Sequence, residues 1–197
     1  MSIEKAIPVF GALTDDIDHV LLTAEELDTI VKRVGCEITN KFSVETGNTG
    51  RKLLAVCILK GSLVFVADLI REIKLPLEVS FLRATSYGSG TVSSGVVEIS
   101  LAIDEKDLIG ADVLVVEDIL DSGHTLSNIL KYLAGKGAHS VSLCVLLNKP
   151  SRRKTEVTID YEGKQIPDEF VVGYGLDYNE KYRNLPYIGV LKKELYS

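Results

Sequence analysis

The sequence predicts an α/β domain, a mostly parallel sheet with helices on both faces. Three observations carry that expectation. Short unbroken apolar runs, Leu53 to Leu59 and Val113 to Val116, are of the kind that lies inside a parallel sheet covered on both sides. Between them stand stretches with apolar residues at helical spacing, such as Leu63, Val66, Ala67, Leu69 and Ile70. Strand and helix alternate through the middle of the chain, which is the order that crossover helices impose.

The first helix begins at Thr23. Thr23-Ala24-Glu25-Glu26 has the form of a capping box, and Leu27, Ile30, Val31, Val34 and Ile38 make one apolar face. Gly47 to Gly50 breaks that pattern before the strand at Leu53. Lys60-Gly61-Ser62 is a turn into the second helix, and Leu77 to Leu82 reads as the next strand. From Thr85 to Gly95 serine, threonine and glycine dominate, leaving little apolar surface to offset the entropy of ordering. Between two strands of one domain, a loop of that length is a lid or binding loop rather than a linker. Val96 to Ala102 returns as a strand, Asp112 to Val116 is the central one, and Ser140 to Leu147 follows a helix that ends at Gly135 to Gly137. Beyond Lys149, the basic run Ser151-Arg152-Arg153-Lys154 reads as a solvated face. Short strands are expected at Val157 to Tyr161, Phe170 to Tyr174 and Ile188 to Leu191.

Composition narrows the functional classes. At 197 residues, 46% of them hydrophobic, the chain suffices for one domain with a proper core. A formal net charge of -6 argues against sequence-independent nucleic-acid binding, which needs a basic surface. Cys36, Cys57 and Cys144 lack metal-ligand spacing and read as reduced core residues of a cytoplasmic protein. His19 and His139 read as ordinary surface residues. No basic leader or apolar run of membrane-spanning length is visible, so no membrane partner is expected.

The chain is organised around Val113 to Leu130, VLVVEDILDSGHTLSNIL. A buried strand ends in two acids, Glu117 and Asp118, and the polar turn Asp121-Ser122-Gly123-His124-Thr125 leads into a helix. Backbone N–H groups at a helix N-terminus favour phosphate, and Gly123 lets the backbone close round it. The two carboxylates cannot bind phosphate directly, but they can accept hydrogen bonds from a sugar diol or hold a divalent cation. A ligand with a phosphate beside a hydroxylated sugar satisfies all of these groups. Read alone, Asp121 could equally be a helix N-cap and Lys60 a snorkelling surface lysine.

VVEDILDSGHT resembles the phosphoribosyl-diphosphate signature of the type I phosphoribosyltransferases, in the Glu-Asp form of the hypoxanthine-guanine enzymes. Leu59 to Ser62, Ser86 to Thr91, Lys149-Pro150 and Phe170 to Glu180 resemble further family segments in the family's order, covering about residue 10 to 197. The resemblance implies one domain over 1–197, with a core at about 50–150, a small hood from about 1–20 and 150–197, and a mobile lid at about 85–95.

It also implies a division of labour. Asp121 is the general base that handles the purine N7 proton. Lys60, Gly61, Ser122, Gly123, His124, Thr125 and Arg183 hold phosphoribosyl diphosphate, with Ser86 and Tyr87 closing from the lid and a non-proline cis bond at Leu59-Lys60. Glu117 and Asp118 meet the ribose hydroxyls directly or through Mg²⁺, and Asp177 serves a second Mg²⁺ beside the base. Lys149 donates to the purine O6, Phe170 stacks on the base, and the Val171 carbonyl meets its edge. Where some relatives carry lysine, this sequence has His124, and backbone amides are expected to dominate there. The implied reaction is Mg²⁺-dependent purine salvage: transfer of the 5-phosphoribosyl group to hypoxanthine, or guanine, by a homodimer or homotetramer. A nucleotide-sensing regulator on the same fold, and a transferase preferring xanthine, are the alternatives.

Overall fold

A computed structural model describes residues 11, 13–47, 50–86, 97–101 and 104–197. Six strands form the main sheet in the order β4-β3-β2-β5-β6-β7. These are β2 (Leu53–Leu59), β3 (Glu78–Ser86), β4 (Val97–Leu101), β5 (Asp112–Leu120), β6 (Ser140–Asn148) and β7 (Tyr161–Gln165). All neighbours are parallel except β3 and β4, which pair antiparallel at one edge.

Alternation along the strands divides the core. Leu53 and Cys57 of β2, with Leu114 and Val116 of β5, face helices α1 (Ala24–Gly47) and α2 (Leu63–Glu72). Leu54, Val56, Ile58, Val113 and Val115 face Leu126, Ile129 and Leu133 of α3 (His124–Gly135). The capping box closes as expected: Thr23 N donates to Glu26 Oε2 at 2.8 Å, and Glu26 N donates to Thr23 Oγ1 at 3.2 Å.

A second, antiparallel sheet of β1 (Ile17–Leu22), β9 (Ile188–Leu191) and β8 (Val171–Val172) forms the hood. Its own apolar cluster includes Ile17, Val172, Leu185 and Tyr187. Among the described residues no helix is long and apolar enough to cross a membrane.

Several expectations require correction. β5 continues to Leu120 because its pairing with β6 runs on to Leu120 and Asn148, so Glu117 and Asp118 lie within the strand rather than beyond it. β3 reaches Ser86 through pairing with β4, so Thr85 and Ser86 belong to the sheet; Tyr87 and the rest of the expected lid, 88–95, lie outside the described residues. The strand expected at Val157 to Tyr161 begins at Tyr161, because Val157 and Ile159 pack against the α3 side of the core instead. Phe170 to Tyr174 contributes only Val171–Val172. Positive φ at Gly173, Tyr174 and Gly175 turns the chain away from the ladder.

Cys36 is exposed, on the solvent side of α1, whereas Cys57 and Cys144 are buried as expected. His139 is more than a surface residue. Its Nδ1 lies 2.9 Å from Oδ1 of Asp112, which is 1% exposed and also accepts from Ser140 Oγ at 2.6 Å and Arg51 Nε at 3.0 Å. Burial pushes the Asp112 carboxyl up, but Ser140, His139 and Arg51 together hold it below the usual range.

Candidate active site

The carboxyl ends of β2, β5 and β6 point towards the hood, and the candidate residues gather in the seam between them. At β2 the Leu59–Lys60 peptide is cis, as the resemblance implied. Ser62 is buried and its Oγ donates to Ile58 O at 2.5 Å, fastening the turn to the strand it leaves. A Cβ on Gly61 would fall on the Asp118 carboxylate, and one on Gly175 would strike the Gly61 carbonyl oxygen. Two backbone segments and the Asp118 side chain thus meet where a side chain on either glycine would collide.

On β5, Glu117 and Asp118 are half-buried. Glu117 Oε2 is inaccessible and has no hydrogen-bond partner among the described residues. Burial and the neighbouring Asp118 charge raise the Glu117 pKa well above the usual value. Asp118 is pushed up to about 6, chiefly by burial, although the Ile119 N–H donates to it. Two carboxylates held this uncomfortably suit a partner that brings positive charge or hydroxyl donors.

Among the described residues no three His, Cys, Asp or Glu converge as a closed metal cage. A cation there would need oxygens from water or substrate, which is the habit of Mg²⁺. The raised pKa has a sign for stability. An acid whose folded pKa lies above its unfolded value costs nothing below about pH 4 and its full penalty above pH 6. Asp118→Asn is therefore expected to stabilise the free protein by about 3 kcal/mol at most at pH 7, with little gain at pH 4. Urea unfolding at the two pH values measures the difference.

The loop after β5 opens α3 without a side-chain cap: Gly123 is the N-cap, with φ +81°. Ser122 Oγ accepts from His124 N at 3.5 Å, and Gly123 O accepts from Ser127 N at 2.9 Å. The first-turn N–H groups of α3 have no intrahelical acceptor, which suits an anion. Asp121 does not cap this helix. Its Oδ1 is inaccessible and without a hydrogen bond among the described residues, 3.5 Å from Arg152 Nε.

A cleft of about 680 Å³ brings Asp121, Lys149, Phe170, Val171 and Asp177 together, with Ile119 and Leu176 as apolar walls. Lys149 is 7% exposed and its Nζ donates to Glu169 O at 2.8 Å. Phe170 stacks on Tyr196, with ring centres 4.7 Å apart and planes at 25°, and meets Tyr178 edge-on at 5.5 Å. Lys60 and Arg183 line an adjoining hollow. Both cations are held by acids: Lys60 Nζ is 2.9 Å from Glu180 Oε1, and Arg183 Nη2 is 2.8 Å from Asp177 Oδ1 and 3.3 Å from Glu180 Oε2. Ser86 lies at the end of β3, and Tyr87 is outside the described residues.

Sequence reasoning missed four contributors. The basic run is not simply a solvated face. Arg153 donates to Asp121 O at 3.0 Å, Leu120 O at 3.3 Å and Asn148 Oδ1 at 2.6 Å, bracing the loop from below. Arg152 stands between Asp121 and Asp168, and Glu180 collects both Lys60 and Arg183. Only the nearness of Arg152 and Arg153 to Lys149 could have signalled their role; nothing local marks Glu180 or Tyr196.

Residues 31–179 match the family model described as phosphoribosyl transferase domain. A hypoxanthine-guanine phosphoribosyltransferase of Mycobacterium avium is 48% identical over 181 residues, which are 92% of this chain and 89% of that protein. The crystal structure of a Staphylococcus aureus hypoxanthine phosphoribosyltransferase superposes with a TM-score of 0.87 at 44% identity, covering 96% of this chain and all of that one. A Trypanosoma cruzi hypoxanthine phosphoribosyltransferase in a ternary substrates complex gives 0.84 at 34% identity, covering 93% of this chain and all of that one. With its mostly parallel sheet, its hood and the Glu-Asp pair near the end of β5 at the seam, the chain belongs to the phosphoribosyl transferase family, among its hypoxanthine-guanine phosphoribosyltransferases.

Proposed function

We infer that this protein is a purine salvage enzyme that transfers the 5-phosphoribosyl group from phosphoribosyl diphosphate to hypoxanthine, and to guanine, forming the nucleotide and pyrophosphate. The observation that carries this reading is the cleft in which Asp121, the buried ammonium of Lys149 and the ring of Phe170 face one space beside the uncapped start of α3. The base lies on Phe170. Lys149 commits one N–H to Glu169 O and keeps two, which suit a 6-oxo group and reject the donor 6-amino group of adenine.

The 5′-phosphate takes the amides of Ser122 to Thr125, and the ribose hydroxyls take Glu117 and Asp118. As purine N9 forms its bond to the anomeric carbon, pyrophosphate leaves and Asp121 accepts the N7 proton. Lys60 and Arg183 exchange their acidic partners for pyrophosphate oxygens and stabilise the negative charge that develops there. Mg²⁺, held by Glu117 and Asp118 with a second ion at Asp177, would neutralise the diphosphate when bound.

Leu63, 52% exposed, and Phe81, 37% exposed, line one apolar hollow beside Lys60. They support a homodimer or homotetramer, which light scattering tests. The direct test of function is turnover of hypoxanthine, guanine, xanthine and adenine with phosphoribosyl diphosphate and magnesium. Strong turnover of the first two is expected; none with either would overturn the reading. Lys149→Gln keeps an amide donor without the charge, so kcat/KM on 6-oxopurines should fall about tenfold or more and discrimination against adenine should weaken. Parent-like use of hypoxanthine by that variant would remove Lys149 from base recognition.

A further inference from the structure

Beyond β9 the chain makes a 3-10 turn, Lys193–Leu195, from which Tyr196 emerges half-buried. The turn is tied to the hood at its start, where Lys192 N donates to Asp16 O at 3.0 Å and Lys192 Nζ to Asp15 O at 2.6 Å. Tyr196 N returns to Lys193 O at 3.2 Å. The ring is thereby brought nearly parallel to Phe170, while Tyr178 meets Phe170 edge-on at 88°. Phe170 is gripped from two directions, and its ring lines the cleft together with Tyr196. Tyr196 and Lys193 also line the cleft that holds Asp121 and Lys149.

We propose that Tyr196 is a purine-positioning residue, one that backs Phe170, fixes the plane in which the base stacks and completes the outer wall of the base pocket. The inference rests on the assignment of that cleft to the purine. A phenyl ring just ahead of a short strand can swing about its side-chain torsions, and an aromatic neighbour stacked on it restrains it. The restraint matters because a base that meets an unfixed stacking surface must order that surface as it binds, which weakens its affinity. Stacking supplies this restraint, so the Tyr196 hydroxyl is not needed.

Steady-state kinetics with hypoxanthine and phosphoribosyl diphosphate, each varied at saturation of the other, test it on Tyr196→Ala, Tyr196→Phe, Tyr196→Leu and Phe170→Leu. Tyr196→Ala should raise KM for hypoxanthine about tenfold, leaving KM for phosphoribosyl diphosphate and kcat within about twofold. Tyr196→Phe should restore the parent values. Tyr196→Leu, which fills the space without a flat face, should behave like the alanine variant and guards against simple loss of packing. An unchanged hypoxanthine KM in Tyr196→Ala, an equal rise in both KM values, or failure of phenylalanine to rescue would each overturn the role of Tyr196. If Phe170→Leu raises the hypoxanthine KM while Tyr196→Ala does not, only this inference falls. If Phe170→Leu also leaves it unchanged, the cleft is not the purine site.

Discussion

Asp121→Asn is expected to lower kcat by about 10²- to 10⁴-fold while leaving the melting temperature close to that of the parent. The substitution keeps the shape of the side chain and removes its capacity to accept a proton. Structural damage should be small because Asp121 does not cap α3; Gly123 occupies that position. The loop is also held through its backbone, where Arg153 Nε donates to Asp121 O at 3.0 Å. What the variant loses is a carboxylate oxygen that is inaccessible, without a hydrogen bond among the described residues and 3.5 Å from Arg152 Nε. Initial rates with saturating substrates, alongside thermal unfolding, separate the two effects. Near-normal turnover would show that N7 gives its proton elsewhere.

Gly61→Ala should be nearly as damaging, by a different route. The added methyl would fall on the Asp118 carboxylate, and the turn cannot retreat because Gly175 rests against the Gly61 carbonyl. Either Asp118 is displaced or the Lys60 turn lifts away. Overpacking of this kind costs roughly 1–3 kcal/mol of stability, and a shift of about 1 Å in a reacting group costs about 10²-fold in rate. The expected outcome is a fall in kcat/KM for phosphoribosyl diphosphate of about 10²-fold. Gly135→Ala is the control. It lies in α3 with open space around its missing side chain, and the substitution should stabilise by about 0.5–1 kcal/mol without touching activity. Equal behaviour of the two variants would mean that the packing of Gly61 on Asp118 is not what sets the donor side of the cleft.

The main sheet was legible because its signal is local. An unbroken apolar run such as Leu53 to Leu59 has few alternatives to a strand buried on both sides, and Thr23 with Glu26 marks a helix start by chemistry within one turn. Strand ends were less legible, since β5 extends to Leu120 only because β6 is beside it as far as Asn148. The hood strand Ile17–Leu22 did not stand out for the same reason: its apolar residues are explained by Ile188 to Leu191, far along the chain.

Around the candidate site, the turn from Asp121 into α3 was readable because its residues connect strand to helix where they stand in sequence. Arg153, Glu180 and Tyr196 were not, because each acts on a partner outside its own stretch of chain that only folding brings near. The same limit applies to Asp112, which joins Arg51, His139 and Ser140 from three separate strand ends.

The hydrogen bond from Lys149 to Glu169 O spans the two sheets. On one side of it, the central strands carry Lys60, Glu117, Asp118 and Asp121; on the other, the hood carries Phe170, Val171 and Tyr196. On the proposed assignment, most of the sugar-phosphate half of the reaction and most of the base half are therefore housed in different structural modules, with Lys149 as a rivet alongside the Lys60–Glu180 pair and the Gly61–Gly175 contact. An evolving lineage can alter the roof, and with it the choice of acceptor, while the floor that handles the donor stays intact. The rivet is the exception. Lys149 both joins the modules and reads the base, so substitutions there should be tolerated least of any in the roof.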